Sequence, residues 1–302
     1  SGNLQQVKQA YDEAVTASVD VLVFPELALT GYTCGDLFLQ PLLLDGAQKA
    51  LLQLATYTAS SALLVVVGVP LVWQNKIYNC AAVLQKGRIL GIVPKTHIPA
   101  YQEFYEQRWF APAPAHNGEL VLGGCAVPFG RHLLFQASTM PDLVVGVEIC
   151  EDLWVPQPPS TGHALAGATL LVNLSASDEV VGKEDYRRSL VSSQSARLAC
   201  AYVYCDAGYG ESTTDMVFTG HDLIAENGTL LAEHEDASGI LLKTEVDVAF
   251  LARERQRLTT YPATNRDEYT IIPFEVSTRE TIPPHRSPSV CSRRFCRPGC
   301  TV

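Results

Sequence analysis

Short apolar runs alternate with amphipathic segments along most of the chain, and this alternation is what most limits the folds open to it. Apolar residues recur at helical spacing over residues 4–18, and further helices are expected at 43–59, 160–167 and 185–199. Between the helices lie the strand-like runs DVLVF, ALLVVVGVP, HLLF, LVVGVEI, TLLVNLS and AYVYCDA. Strands and helices in alternation indicate an α/β protein.

Two hairpins are expected, because turn residues separate neighbouring apolar runs at two places. Lys86 and Gly87 separate NCAAVLQ from RILGIVP, and Asn227 and Gly228 lie at the centre of HDLIAENGTLLAEHE. Hairpins require antiparallel pairing, so the strands cannot form a purely parallel sheet. The sequence therefore predicts a layered α/β sandwich with a mixed sheet.

Composition fits one large globular unit. The chain has 302 residues, of which 47% are hydrophobic and 18% are charged. Its most apolar run, ALLVVVGVPLVW, is interrupted by Gly68 and Pro70 and is too short to span a bilayer. No secretion signal is visible, and nine cysteines scattered through apolar segments favour reduced thiols. We expect a cytoplasmic protein with no membrane partner.

Charge divides the chain into a long acidic part and a short basic tail. The formal net charge is −10, although residues 277–302 contribute +4 through five arginines and Glu280. The acidic part repels phosphate backbones, so no nucleic-acid partner is expected. The tail is rich in Arg, Pro, Ser and Cys and is predicted to be a linker or disordered extension. Its Cys291, Cys296 and Cys300 lack the companions of a zinc site, so no metal is expected.

Three apolar strands end abruptly in a charged or reactive residue: VLVFPE at Glu26, ILGIVPK at Lys95 and VVGVEIC at Cys150. Strand ends at one edge of an α/β sheet are where such folds gather their chemistry. A carboxylate, an ammonium and a thiol meeting there would form a nucleophilic site. Glu26 can take the thiol proton, and Lys95 can stabilise the thiolate and a developing oxyanion.

Acidic residues flank the thiol of Cys150 on both sides. Strict alternation along the strand would direct Glu148 to the same face as Cys150, whereas Glu151 and Asp152 belong to the turn beyond. The N–H that follows Cys150, that of Glu151, is then available to an oxyanion. Taken singly, each residue has a plainer interpretation: a buried small thiol at Cys150, a helix cap at Glu26 and a solvated loop charge at Lys95. It is their coincidence that indicates a site.

The motifs VFPELALTGY, PKTHIPAYQEFYEQRWF and GVEICEDLWVPQPPS together resemble those of the nitrilase (carbon–nitrogen hydrolase) superfamily. More closely, with YGESTTD and LARERQRL, they resemble the glutaminase domain of glutamine-dependent NAD synthetases. The resemblance covers residues 3–276 and implies a nitrilase-type α-β-β-α sandwich with two mixed sheets. It implies a glutaminase domain over residues 1–276 followed by the tail at 277–302, with the synthetase domain absent.

The resemblance also implies a role for each matching residue. Cys150 is the nucleophile, Glu26 the general base and Lys95 the residue that stabilises the tetrahedral intermediate. Glu106, rather than Glu103, matches the second glutamate that holds the lysine and thiol in place. The residues expected to bind the substrate are Tyr32, Tyr101, Glu151, Ser177 and Lys183, the last two at the α-amino and α-carboxylate ends of glutamine.

The implied activity is hydrolysis of glutamine to glutamate and ammonia through a cysteine thioester. The glutaminase domain needs no cofactor; ATP and Mg²⁺ belong to the missing synthetase domain, which would use the ammonia to convert deamido-NAD to NAD. Expected partners are glutamine, a synthetase domain or chain, and further copies of this chain in a homo-oligomer. Two alternatives remain open: a free-standing amidase acting on an ω-amide or N-carbamoyl compound, and a catalytically idle scaffold or binding partner.

Overall fold

The computed structural model describes residues 2–208, 210–211, 215–234 and 241–276. Five helices are named here: α1 Gly2–Thr16, α2 Pro41–Tyr57, α3 Pro159–Leu165, α4 Lys183–Arg197 and α5 Val248–Arg257. Thirteen strands are named in the same way: β1 Val21–Val23, β2 Leu64–Trp73, β3 Lys76–Gln85, β4 Arg88–Pro94, β5 Gly118–Leu122, β6 Cys125–Phe129, β7 Leu133–Ala137, β8 Val144–Ile149, β9 Leu170–Leu174, β10 Ala201–Cys205, β11 Asp222–Glu226, β12 Thr229–His234 and β13 Thr270–Phe274. Short 3-10 turns occur at Gly35–Leu39, Thr58–Ser60, Glu106–Arg108 and Cys150–Leu153.

The strands form two mixed sheets. The first has the order β1-β2-β3-β4-β6-β5, in which β1 is parallel to β2 and β2, β3 and β4 pair antiparallel. The second has the order β12-β11-β10-β9-β8-β7-β13, with β8, β9 and β10 parallel at its centre. The carboxyl ends of these three central strands therefore lie at one edge of the second sheet.

Alternation along β2 shows how the layers are stacked. Val65, Val67 and Val69 pack in a cluster with side chains of α1 and α2, whereas Leu64 and Val66 pack against strands of the second sheet. The opposite face of the second sheet is covered by α3 and α4. This arrangement is the predicted α-β-β-α sandwich, so the fold prediction is confirmed.

Both predicted hairpins are confirmed. Lys86 and Gly87 join β3 to β4, and Asn227 and Gly228 join β11 to β12; all four residues have positive φ, as tight two-residue turns require. Four elements were not predicted: β5, β6, β13 and α5. Among the described residues, no helix is both long and apolar enough to cross a membrane.

Candidate active site

Glu26 is held between the two sheets by a close approach of the backbone. The segment that follows β1 crosses β2 at Gly68, where a side-chain Cβ would lie 2.2 Å from the amide nitrogen of Leu27. Only glycine permits this contact. The N–H of Glu26 donates to the carbonyl of Ser175, beyond the end of β9, at 3.2 Å. The carboxylate is thereby directed into the interior, where Glu26 is 1% exposed.

Lys95 follows β4 directly, and its side chain is completely buried. Its Nζ donates to Oε1 of Glu26 and to Oε1 of Glu106, each at 2.7 Å. Burial alone lowers the pKa of Lys95, but the charges of Glu106 and Glu26 outweigh burial and hold the pKa well above its usual value. The interpretation of Lys95 as a solvated loop charge is therefore wrong.

Glu106 lies in the 3-10 turn Glu106–Arg108 and is buried. Besides Lys95, its Oε1 accepts a hydrogen bond from the hydroxyl of Tyr32 at 2.8 Å. Glu103 lies elsewhere, close to the charges of Asp178 and Lys183. The second glutamate that contacts Lys95 is therefore Glu106 and not Glu103.

Cys150 occupies a sharp turn at the carboxyl end of β8. Its φ of 44° lies in the left-handed region, which a residue with a side chain adopts only where the surroundings impose it. Its N–H donates to Oδ1 of Asn173 at 2.9 Å, which fixes the turn to the neighbouring strand β9. Burial raises the pKa of the Cys150 thiol well above its usual value; Glu26 adds to the increase, and Lys95 partly opposes it. The resting thiol is thus neutral and needs a base.

The structure does not place Glu148 on the face that strand alternation predicted. Its carboxylate accepts hydrogen bonds from the N–H of Ser160, at 2.7 Å, and from the hydroxyl of Tyr202, both on the helical side of the sheet. Ile149 and Cys150 instead pack between the sheets. The positive φ at Cys150 ends the alternation, so two successive residues point inward and Glu148 does not crowd the thiol.

Glu26 is poised to act as a base near neutral pH. Burial raises its pKa to about 7, although Lys95 and Asn79 oppose the increase. Its Oε1 accepts from Lys95 at 2.7 Å and from Nδ2 of Asn79 at 2.5 Å. Asn79 was not predicted from the sequence. The available signal was a single amide side chain within the buried, mostly apolar strand IYNCAAVL.

Two hydrogen-bond donors can stabilise the oxyanion that forms when a thiol attacks a carbonyl group. One is the ammonium of Lys95. The other is the N–H of Glu151, which lies in the first turn of the 3-10 helix Cys150–Leu153, where amides have no partner within the helix.

Asp152 ties the lysine segment to the cysteine turn. Its carboxylate accepts hydrogen bonds from the N–H groups of Thr96 and His97, at 3.2 and 2.7 Å, directly after Lys95. It also accepts from the N–H of Ile149 at 3.1 Å, directly before Cys150. Asp152 is buried, and burial raises its pKa to about 6. Sequence reasoning placed this residue only in the turn and assigned it no function.

Tyr32 and Tyr101, both predicted to bind substrate, lie in different surroundings. Tyr32 is buried, and its hydroxyl is committed to Glu106. Tyr101 is 49% exposed, and its hydroxyl donates to the carboxylate of Glu151 at 2.9 Å. An open cleft of about 730 Å³ lies beside Tyr101 and Glu151. It is lined by Thr96, His97, Ile98, Pro99, Ala100, Tyr101, Gln107, Phe110, Pro112, Glu151 and Val155.

Lys183 lies beside aromatic side chains that adjoin Tyr101. Its Nζ pairs with the carboxylate of Asp178 and lies 5.5 Å from the ring centre of Phe104 and 5.2 Å from that of Trp154. The ring of Phe104 in turn contacts that of Tyr101, with centroids 5.9 Å apart. The two rings and the carboxylate hold the ammonium in place, and Asp178 balances its charge.

Ser177 is buried and directly precedes Asp178, the partner of Lys183. Its hydroxyl oxygen accepts from Nη2 of Arg187 at 3.2 Å, and Nη1 of Arg187 pairs with Glu179 at 3.1 Å. Arg187 is completely buried and was not predicted. Within the described ranges, no group of three His, Cys, Asp or Glu side chains could hold a metal ion; Cys291, Cys296 and Cys300 lie outside those ranges.

Comparison with known proteins identifies the family. Residues 1–256 match the carbon–nitrogen hydrolase family. The chain is 46% identical over 265 residues to the glutamine-dependent NAD(+) synthetase of Mycobacterium tuberculosis H37Rv, a match that covers 87% of this chain and 38% of the relative. It is 31% identical over 255 residues to the synthetase of the same name from Aquifex aeolicus, covering 84% and 41%. The chain thus spans about two-fifths of the length of these relatives.

Solved structures give the same result. The glutamine-dependent NAD(+) synthetase of Cytophaga hutchinsonii superposes with a TM-score of 0.68 at 32% identity, covering 76% of this chain and 37% of that one. A nitrilase-superfamily amidase from Nesterenkonia superposes with a TM-score of 0.63 at 18% identity, covering 85% and 89%, and shows the shared fold alone. With its buried thiol, carboxylates and lysine set in this fold, the chain belongs to the carbon–nitrogen hydrolase family.

Proposed function

We propose that this chain hydrolyses the side-chain amide of glutamine to glutamate and ammonia. The observation that carries the proposal is the buried contact of Glu26, Lys95 and Glu106 beside the strained turn of Cys150. The thiol is neutral at rest, and the nearby carboxylate has a pKa of about 7, so proton transfer and nucleophilic attack can proceed together.

The reaction passes through a thioester. Glu26 takes the proton of Cys150 as sulfur bonds to the amide carbon, and the carbonyl electrons move onto oxygen, which Lys95 and the N–H of Glu151 stabilise. Glu26 then gives its proton to the amide nitrogen, the C–N bond breaks and ammonia leaves. A water molecule, deprotonated by Glu26, attacks the thioester; the S–C bond breaks, glutamate forms and the proton returns to sulfur. Glu106 holds Lys95 throughout.

Two polar side chains are proposed to bind the charged ends of glutamine. The ammonium of Lys183 would bind the α-carboxylate, and the hydroxyl of Ser177 would bind the α-amino group. Tyr101 and Glu151 form the side of the cleft, and Tyr32 fixes Glu106 behind it. Lysine supplies charge without the two-pronged geometry of arginine, and its aromatic neighbours compensate by restricting its position.

The released ammonia is proposed to serve NAD synthesis. Relatives that share this segment are named glutamine-dependent NAD(+) synthetases. An ATP- and Mg²⁺-dependent synthetase domain or chain would consume the ammonia in amidating deamido-NAD, whereas the hydrolytic steps themselves need no cofactor. We further propose a cytoplasmic homo-oligomer.

Ammonia release from glutamine, asparagine and propionamide tests the proposal. We expect kcat/KM for glutamine to exceed that for the other amides by at least ~10-fold, because only glutamine places both α-groups and the amide correctly. The Cys150→Ala variant should release no ammonia above background. A wild-type preference for propionamide or an N-carbamoyl compound would instead indicate the free-standing amidase.

Iodoacetamide labelling separates both enzymes from the scaffold alternative. Cys150 is expected to react faster than Cys34 or Cys80, because Glu26 accepts its proton while Cys80 is fully buried. Equal labelling of the three cysteines, together with no hydrolysis of any amide, would indicate a scaffold.

Replacement of Asp152 by asparagine is expected to lower kcat for glutamine about 10-fold. An amide presents one acceptor oxygen and a donor group to three N–H donors, so the segments carrying Lys95 and Cys150 separate. Steady-state kinetics measure the effect, and urea unfolding should show a loss of about 1–3 kcal/mol. The exposed Asp12→Asn variant is the control and should behave as wild type. Wild-type kcat in Asp152→Asn would show that this residue does not hold the site together.

A further inference from the structure

Two buried oxygen atoms at the active site have no hydrogen-bond partner among the described residues: Oε2 of Glu26 and Oδ1 of Asn79. Both residues are 1% exposed. Buried acceptors are nearly always satisfied in folded proteins, and those that are not often belong to functional sites. Two of them on residues that contact each other indicate a donor that arrives with the substrate.

The orientation of the Asn79 amide follows from its neighbours. Its Nδ2 donates to Oε1 of Glu26 at 2.5 Å and approaches Oε2 of Glu106 at 3.4 Å. A flipped amide would place oxygen against two carboxylates, which electrostatic repulsion forbids. The amide carbonyl Oδ1 must therefore be directed away from these two contacts.

Strand alternation places Asn79 on the same side of the first sheet as the thiol. In β3, Tyr78 and Cys80 pack towards the helices, whereas Ala81 belongs to the cluster between the sheets that also contains Cys150. Asn79 shares the face of Ala81. The backbone carbonyl of Asn79 also accepts the N–H of Lys95 at 2.8 Å, which fixes the two residues side by side.

We propose that Oε2 of Glu26 and Oδ1 of Asn79 together bind the nitrogen of the scissile amide, and that Asn79 makes the site selective for amides over esters. The inference rests on the proposed function and deepens it. In the tetrahedral intermediate the nitrogen carries two hydrogens and one lone pair. One N–H donates to Oδ1 of Asn79, which turns the lone pair towards the proton that Glu26 has taken from the thiol. The C–N bond then breaks as nitrogen accepts that proton. An ester oxygen has no hydrogen to donate and gains nothing from Asn79.

Amide and ester hydrolysis by Asn79→Leu test the inference. The probes are glutamine against the γ-methyl ester of glutamate, and propionamide against methyl propionate. We expect kcat/KM for each amide to fall about 100-fold and for each ester about 10-fold, so that the amide-to-ester ratio falls about 10-fold. The ester loss reflects Nδ2, which positions both carboxylates for either substrate.

Asn79→Asp is the matched control, since it keeps an acceptor oxygen but loses the amide donor. Its rates should fall, yet its amide-to-ester ratio should stay within about threefold of wild type. A crystal structure of Cys150→Ala with glutamine or propionamide adds a readout that needs no turnover: the amide nitrogen is expected about 3 Å from Oδ1 of Asn79.

Equal losses of amide and ester hydrolysis in Asn79→Leu would overturn the inference and leave Asn79 as a positioning residue for Glu26 and Glu106. An amide nitrogen remote from Oδ1 in the crystal structure would overturn it as well, even where Asn79→Leu does not fold. Hydrolysis of propionamide but not of glutamine would contradict the proposed substrate alone, because the propionamide pair still tests Asn79. Wild-type protein that hydrolyses no amide would overturn both.

Discussion

Replacement of Lys95 by methionine is expected to reduce kcat for glutamine by at least about 100-fold and to destabilise the fold. The fully buried ammonium is shared by Glu26 and Glu106 at 2.7 Å each, so methionine fills the space but leaves two carboxylates facing each other. Loss of an oxyanion donor costs about 100- to 1,000-fold in turnover. Breaking a buried ion pair costs about 3–5 kcal/mol. Single-turnover ammonia release and urea unfolding measure the two effects.

Lys86→Met is the matched control for this variant. Lys86 pairs with Glu275, and their side chains are 44% and 59% exposed. An exposed pair of this kind contributes about 0–1 kcal/mol, and its loss should leave kcat unchanged. If Lys95→Met turned over glutamine within threefold of wild type, Lys95 would not stabilise the oxyanion, whatever the stability change.

The sequence predicted that Glu26, Lys95 and Cys150 lie near one another because three strands end in chemically complementary residues. It could not predict the burial of Lys95, since PKTH is equally typical of a solvated loop. In the folded chain, Lys95 is held in the interior by hydrogen bonds to Glu106 and to Glu26, which lies 69 positions earlier. Such contacts depend on the packing of two sheets, which no local pattern encodes.

The same limit explains why β13 was not predicted. Strand β13 pairs with β7 across more than 130 residues, and its Pro273 is unusual in a strand. Strands β5 and β6 are different: they pair with each other across Gly123 and Gly124, both with positive φ, so a local hairpin signal was present in the sequence and was missed. Of these three strands, only β13 depends entirely on a distant part of the chain for its partner.

Alternation along the strand also failed at Cys150, where φ is positive. Both Ile149 and Cys150 point inward because φ of Cys150 is positive, and the presence of a cysteine in the sequence does not indicate this conformation. Glu148 therefore faces Tyr202 rather than the thiol. Backbone strain of this kind is often found at functional sites, so the failure of alternation supports the role proposed for Cys150.

Replacement of Glu26 by glutamine is expected to lower kcat/KM for glutamine by about 100- to 10,000-fold, the usual contribution of a general base. Glutamine keeps the shape of the side chain and an acceptor for Lys95, so stability should change less than in Lys95→Met. The matched control is Glu275→Gln, an exposed change that should leave kcat/KM within about twofold of wild type.

The pH dependence of kcat/KM tests most directly whether Glu26 is the base. Burial raises the pKa of Glu26 to about 7, and the base must be ionised to accept the thiol proton. Wild-type kcat/KM should therefore rise with pH to a plateau, with a midpoint near 7. In Glu26→Gln only the spontaneously ionised thiol can react, and burial holds the pKa of Cys150 well above its usual value. The residual rate should then keep rising with pH above 8. A midpoint near 7 that persisted in Glu26→Gln would assign the titration, and with it the role of base, to another group.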